Sequence, residues 1–219
     1  MGVKVLRDSS VDIVPSVKDY TEEIPGRHGE ISFKTELGSR AIELHVAEEM
    51  TPEERENLKR QYAKHIISED TKTLVFESDV EKSYEVKYAG KIDPTQYPLH
   101  MDFAIPFKMT KPFIDGSFEK ELKGSGVIAN DGTVETPLII EIKGQVSNPT
   151  VVIGDDVLAY NGSLSNDETL VIDTEKQTAK IGSVNVLDKF SGDFKTLEPG
   201  KVNVVADDNV TIRWRDRWI

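Results

Sequence analysis

Leu58, Tyr62 and Ile66 recur at spacing four within TPEERENLKRQYAKHIIS, residues 51–68, and draw one apolar stripe along an otherwise charged segment. The spacing predicts an amphipathic helix laid on another element. Thr51 suits the N-cap, Pro52 the first helical position, and Glu54 completes a capping box. On both flanks the apolar period shortens to that of a strand. ISFKTE (31–36) and AIELHVAE (41–48) alternate apolar with polar residues, and the LGSR between them suits a tight turn. TLVF, YEVKYAGKI and HMDFAIPFKM follow the helix, each β-rich and each ended by polar or proline-containing turns. Strands, one helix, then strands is the wrong order for a doubly wound parallel sheet. It predicts an antiparallel sandwich or barrel carrying one packed helix.

Around residues 112–126 the periodicity is lost and Gly, Ser and charge accumulate, which marks a boundary. Beyond it no helical pattern returns. TPLIIEIKG, PTVVIG, VLAYNG, ETLVIDT, TAKIGSVNV, KVNVVA and VTIRW follow at close spacing, punctuated by Asn-Asp-Gly, Gly-Asp-Asp and Asn-Gly turns. Seven short strands with such turns between them predict a β-sandwich. The chain therefore reads as two domains of mostly β structure, 1–115 with one helix and 122–219 as a sandwich.

Composition narrows the chemistry. Of the 219 residues 37% are hydrophobic and 30% charged, enough apolar material for packed cores, and no stretch is long and apolar enough to insert into a membrane. Cysteine is absent, so disulfides, thiolate metal sites and thiol catalysis are excluded. The net charge of -12 divides equally between residues 1–120 and 121–219. A surface so evenly acidic repels phosphate backbones and argues against sequence-specific nucleic-acid binding.

Candidate sites are sparse. His28, His45, His65 and His100 lie on separate elements without metal-ligand spacing, so no metal is expected. Asp155–Asp156 and Asp207–Asp208 lack the spaced ligands of a calcium loop and read as solvated turns. Nothing picks out an acid and base for a carboxylate-dependent hydrolase, and no phosphate-binding loop, dinucleotide fingerprint or nucleophile elbow is present, so neither a catalytic residue nor a cofactor is assigned. The terminal TIRWRDRWI is the least ordinary stretch. Strand alternation would put Trp214, Asp216 and Trp218 on one face and Arg213, Arg215 and Arg217 on the other. The tryptophans then serve either as core anchors, with the arginines pairing to nearby acids, or, together with Tyr160, as an exposed platform for sugar or protein docking.

Several stretches, taken in order, resemble one family: EIPGRHGEISF at 23–33, the capped helix, SYEVKYAGKID at 83–93, FAIPFKMTKPF at 103–113, GTVETPLIIEIKGQVSNPTVVIG, SGDFKTLEPGKVNVV and the terminal RWRDRWI. The chain is similar over nearly its whole length to the distal tail proteins of long, non-contractile-tailed (siphovirus-type) bacteriophages and prophages. The resemblance rests on structural landmarks and no catalytic motif. It implies a non-enzymatic virion protein of the tail tip, made in the bacterial cytoplasm. Its N-terminal β domain builds a ring, usually a hexamer, and a galectin-like C-terminal sandwich projects outward. The implied partners are further copies of the chain, the tail tube protein, the tail-associated hub or lysin protein, and receptor-binding machinery. Members usually carry an additional strand or hairpin before the stretch that matches residues 2–10, where this chain begins. A glycan-binding protein acting through the second domain is the competing reading.

Overall fold

A computed structural model describes residues 9–49, 51–67 and 70–219. The chain divides into two compact units, one of residues 1–79, 83–114 and 219, the other of residues 80–82 and 115–218. The start of the family-like stretch at 2–8, and Ser68 at the end of the expected helix, lie outside the described residues.

In the first unit the strands are β1 (Ser10–Val11), β2 (Val17–Glu23), β3 (Glu30–Leu37), β4 (Ala41–Glu49), β5 (Lys72–Phe76), β6 (Asp79–Tyr88), β7 (Thr95–Gln96) and β8 (His100–Met109), with helix α1 (Pro52–Ile66) after β4. The main sheet runs β1-β4-β8-β6, with β5 on β6 and β7 on β8, through antiparallel pairings. Its two faces differ in chemistry because the strands alternate. Ile42, Leu44 and Val46 of β4, Met101, Phe103 and Ile105 of β8, and Tyr84 and Val86 of β6 are buried. Tyr62 of the helix is buried with them and meets Phe103 edge-on at 5.1 Å, so the stripe that predicted the helix is the face it packs. Thr51 accepts from the Glu54 backbone and Glu54 returns a bond to the Thr51 backbone, as the sequence required.

The segment 37–40, expected as a tight turn, connects β3 to β4 without pairing them. Instead β3 pairs with β2 in a separate two-stranded hairpin, while β4 pairs with β1 and β8. The turn lies at residues 24–29, where Arg27 donates to the Ile24 carbonyl and Gly26 and Gly29 hold φ of 85° and 86°. Strand β2, VKDYTEE, went unrecognised because no face of it is buried, and burial is what writes alternation into a sequence.

Buried Arg40 ties this unit together where the hairpin begins. Its guanidinium donates to the carbonyls of Asp12, Ile13 and Pro112. Burial pushes its pKa below the ordinary arginine value, opposed by the charges of Tyr84 and Asp12.

The second unit contains β9 (Ile114–Gly116, from Asp115 onward), β10 (Lys120–Lys123), β11 (Gly126–Asn130), β12 (Ile139–Lys143), β13 (Val146–Ser147), β14 (Thr150–Ile153), β15 (Asp156–Tyr160), β16 (Ser163–Leu164), β17 (Thr169–Asp173), β18 (Thr178–Ile181), β19 (Val184–Asn185), β20 (Phe190–Ser191), β21 (Gly200–Val205), β22 (Val210–Trp214) and β23 (Arg217–Trp218). One sheet runs β10-β22-β12-β17-β18-β19 and another β11-β21-β14-β15-β20. Ile140, Ile142, Leu170, Ile172 and Ile212 from the first share one core with Ile128, Val151, Leu158 and Val204 from the second. All seven expected strand segments contain strands. The stretch read as a boundary is not an open linker, since β9, β10 and the start of β11 occupy it. Strand β10, KELK, hides behind its charge: only Leu122 packs on the core, while Lys120 and Glu121 are held by ion pairs.

Candidate functional site

The C-terminal stretch gathers Arg213, Arg215, Asp216 and Arg217 within five residues. Register sets Arg213 of β22 between Glu121 of β10 and Ile139 of β12. Its guanidinium donates to Glu121 at 3.0 Å and Glu141 at 2.9 Å, with Glu119 at 3.9 Å. The hydrogen bond with Glu121, then the charge of Glu141, raises the Arg213 pKa. A hydrogen bond from Lys143, aided by Arg213 and opposed by burial, holds the Glu141 carboxyl below the ordinary range.

Alternation of burial holds as far as Asp216, with exposed Arg215 between buried Trp214 and Asp216, and then breaks: Arg217 is buried as well and Trp218 is half-buried, Arg215 and Asp216 lying between β22 and β23. Arg215 donates to the carbonyls of Gly116 and Ser117. Asp216 accepts from the Asp131 backbone and pairs with Lys120 at 2.6 Å. Arg217 pairs with Asp115 at 2.8 Å and reaches Glu175 at 3.4 Å. The Arg217 carbonyl accepts from the backbones of Thr133 and Val134, and a Cβ on Gly132 would stand 2.0 Å from it, which is why that turn requires glycine.

The aromatic residues nominated for docking fall into two groups. Trp214 is 7% exposed and donates from Nε1 to the Ala129 carbonyl at 2.9 Å, while Tyr160 is 4% exposed. Both are core residues, so the exposed platform of Trp214, Trp218 and Tyr160 is not formed. Trp218 alone keeps part of its surface, with the Lys82 ammonium 5.5 Å from its ring centroid. Arg213 and Arg217 pair with neighbouring acids as the packing reading required, whereas Arg215 bonds backbone carbonyls.

The histidines have separate surroundings. His45 lies 3.0 Å from Glu43, the Nδ1 atom of His65 is 2.9 Å from the Gln61 carbonyl, and His100 stacks on Tyr97. Among the described residues no group of three His, Asp or Glu side chains is arranged to hold a metal ion. Asp156 pairs with Lys195, and Asp207 and Asp208 lie exposed in a turn. No helix among the described residues is long and apolar enough to cross a membrane.

The feature that sequence reasoning missed is the β2–β3 hairpin. Every residue of β2 is exposed, and Val17 at 58% and Phe33 at 65% leave large apolar side chains in water. Tyr20 bonds Glu36 and Thr35 bonds Asp19 across the strands, but among the described residues no core supports them. An isolated two-stranded ribbon of this kind is marginal in water. The available signal was the scatter of apolar residues Ile13, Val14, Val17 and Ile24 ahead of the recognised strand, in a segment without helical or strand period, and the structure leaves all four exposed.

Comparison with known proteins matches the same two halves. Residues 1–109 match the family model for the phage tail protein RIFT-related domain, and residues 131–218 match that for the siphovirus-type tail component, C-terminal domain. The crystal structure of the phage SPP1 Dit protein, described as a paradigm of the hub adsorption apparatus in phages infecting Gram-positive bacteria, aligns with a TM-score of 0.78 at 12% identity, covering 98% of this chain and 93% of that one. Chains of the phage P2 baseplate in its activated conformation, with Ca and with Sr, align at 9% identity and a TM-score of 0.46, over 93% and 94% of this chain and 87% and 88% of theirs. No curated protein sequence matches. With a tail-protein domain at each end, in the order the sequence landmarks required, the chain belongs to the siphovirus-type distal tail proteins and is a structural component of the phage tail.

Proposed function

We propose that the chain forms a ring, with six copies as the expected number, that joins the tail tube to the tail-associated hub and adhesion apparatus. The observation that carries this reading is the ordered pair of tail-domain matches, supported by an SPP1 Dit-like fold over nearly the whole chain. Residues 1–115 build the annulus, and residues 122–219 form an outward sandwich of galectin-like type. The partners are further copies, the tail tube protein, the hub or lysin protein and a receptor-binding protein. The work is assembly and not catalysis, and the acidic surface suits a passage along which DNA slides without sticking.

Light scattering behind a sizing column tests the ring. The full chain is expected at a mass near six times 24.5 kDa, and to co-purify with the tail tube and hub proteins on co-expression. A chain that stays monomeric at high concentration and joins neither partner overturns the reading.

A further inference from the structure

Three times along the chain an aspartate or asparagine precedes a glycine: Asp115–Gly116, Asp131–Gly132 and Asn161–Gly162. Such a pair is prone to react with itself, because a glycine nitrogen has no adjacent Cβ to shield it from the side-chain carbon of the residue before it. The fold holds two of the three shut. Gly116 donates its N–H to the Asp216 carbonyl at 2.8 Å, while the Asp115 carboxylate pairs with Arg217 at 2.8 Å. Gly132 donates to Asn130 Oδ1 at 3.0 Å, and the Asp131 carboxylate pairs with Lys120 at 2.6 Å. The hydrogen bond from Lys120, aided by its charge, holds the Asp131 carboxyl below the ordinary range. An ionised carboxylate tied to a cation is a poor electrophile, so neither aspartate is free to react.

Asn161 is placed differently. Its side chain is a neutral amide, exposed in the turn between β15 and β16, and no hydrogen bond holds it among the described residues. The backbone around it is tied instead: Asn161 N–H donates to the Lys189 carbonyl at 2.8 Å, and the Gly162 carbonyl accepts from Asn148 N–H at 2.7 Å. The Gly162 nitrogen has the longest of these bonds, 3.1 Å to the Tyr160 carbonyl across a three-residue turn. Packing requires the glycine, since a Cβ at 162 would stand 2.8 Å from the Tyr160 ring. The buried tyrosine therefore keeps the reactive dipeptide in place, without the side-chain pairing found at 115 and 131.

We propose that Asn161 is a site of spontaneous deamidation in the folded chain. The Gly162 nitrogen gives up its proton to solvent and bonds to Asn161 Cγ, closing a cyclic imide. The Cγ–Nδ2 bond breaks, and Nδ2 takes up a proton and leaves as ammonia. Water then opens the ring. Cleavage between the Gly162 nitrogen and Cγ gives aspartate. Cleavage between that nitrogen and the Asn161 carbonyl carbon gives isoaspartate, in which the main chain runs through the former side chain. Either product adds a negative charge to a chain already at -12. Isoaspartate also lengthens the main chain between Tyr160 and Gly162 by a methylene, which loosens the tie from Asn161 to Lys189 just before β20. The reaction needs no second copy, so it does not rest on the ring reading.

Peptide mapping tests it on the full chain aged in warm, mildly alkaline buffer, folded in one sample and unfolded in urea in another. In the folded sample the peptide that holds Asn161 gains the mass of one deamidation, fragmentation places the change at 161, and an isoaspartate methyltransferase labels that residue. Asp115 and Asp131 stay unlabelled while the chain is folded and become labelled in urea, where their cationic partners are lost. Asn166, also exposed but followed by Asp167, lags behind Asn161. Asn161→Gln leaves the circular dichroism unchanged and removes both the label and the new acidic band on isoelectric focusing. An Asn161 that stays intact in the folded chain overturns the proposal, whether or not it converts in urea. So does conversion at Asp115, Asp131 or Asn166 as fast as at Asn161 in the folded chain.

Discussion

The β2–β3 hairpin and the β22–β23 terminus treat their side chains in opposite ways. The hairpin holds Val17 and Phe33 in water, whereas the terminus buries Asp216 and Arg217. In the terminus each charge enters with a partner already in place, Lys120 for Asp216 and Asp115 for Arg217, so desolvation is offset by short-range pairing. In the hairpin no offsetting burial exists among the described residues. The charges of one segment are satisfied within a single copy, and the apolar side chains of the other are left in water. That is the division expected if the chain assembles as proposed.

The largest expected effect lies on the complete side. Trp214→Ala empties a buried ring site and removes the bond to the Ala129 carbonyl, at a cost of about 3 to 5 kcal/mol to the second unit. Urea unfolding followed by far-ultraviolet dichroism measures it, and a loss below about 1 kcal/mol would mean the indole is not a core anchor. A smaller effect tests whether the buried charges are structural. Arg217→Met keeps much of the side-chain volume but withdraws the guanidinium from Asp115 and Glu175, and should cost about 2 kcal/mol in the same measurement. On the hairpin side, Phe33→Ser should change monomer stability by no more than about 0.5 kcal/mol. It should nevertheless weaken self-association in light scattering. A Phe33→Ser chain that unfolds easily but assembles normally would reverse the comparison between the two segments.

Much of the fold was legible because burial leaves a period. The capped helix is one case, where Leu58, Tyr62 and Ile66 mark the packed face and Thr51 and Glu54 mark the start. The seven strand segments after residue 130 are another. What escaped had no such mark. Strand β2 has no buried face, β10 carries one apolar residue among charges, and the turn at 37–40 was assigned to a hairpin whose strand instead pairs with β2. The candidate site was legible only as a list of residue types: Trp214, Trp218 and Tyr160 were nominated together, and packing sent two of them into the core.

By itself the sequence determined the β-rich class, the capped helix and the even acidity, because each follows from residue types and their local spacing, while the family followed from the resemblance of several stretches taken in order. Tertiary structure alone decided that Arg215 and Asp216 interrupt the last strand and that Arg217 is buried next to Asp216. It alone set Glu23 across from Glu30 and Lys87 across from Lys108. Strand register joins residues far apart in the chain, and a shift of one residue would turn each side chain to the other face. No local pattern carries that information.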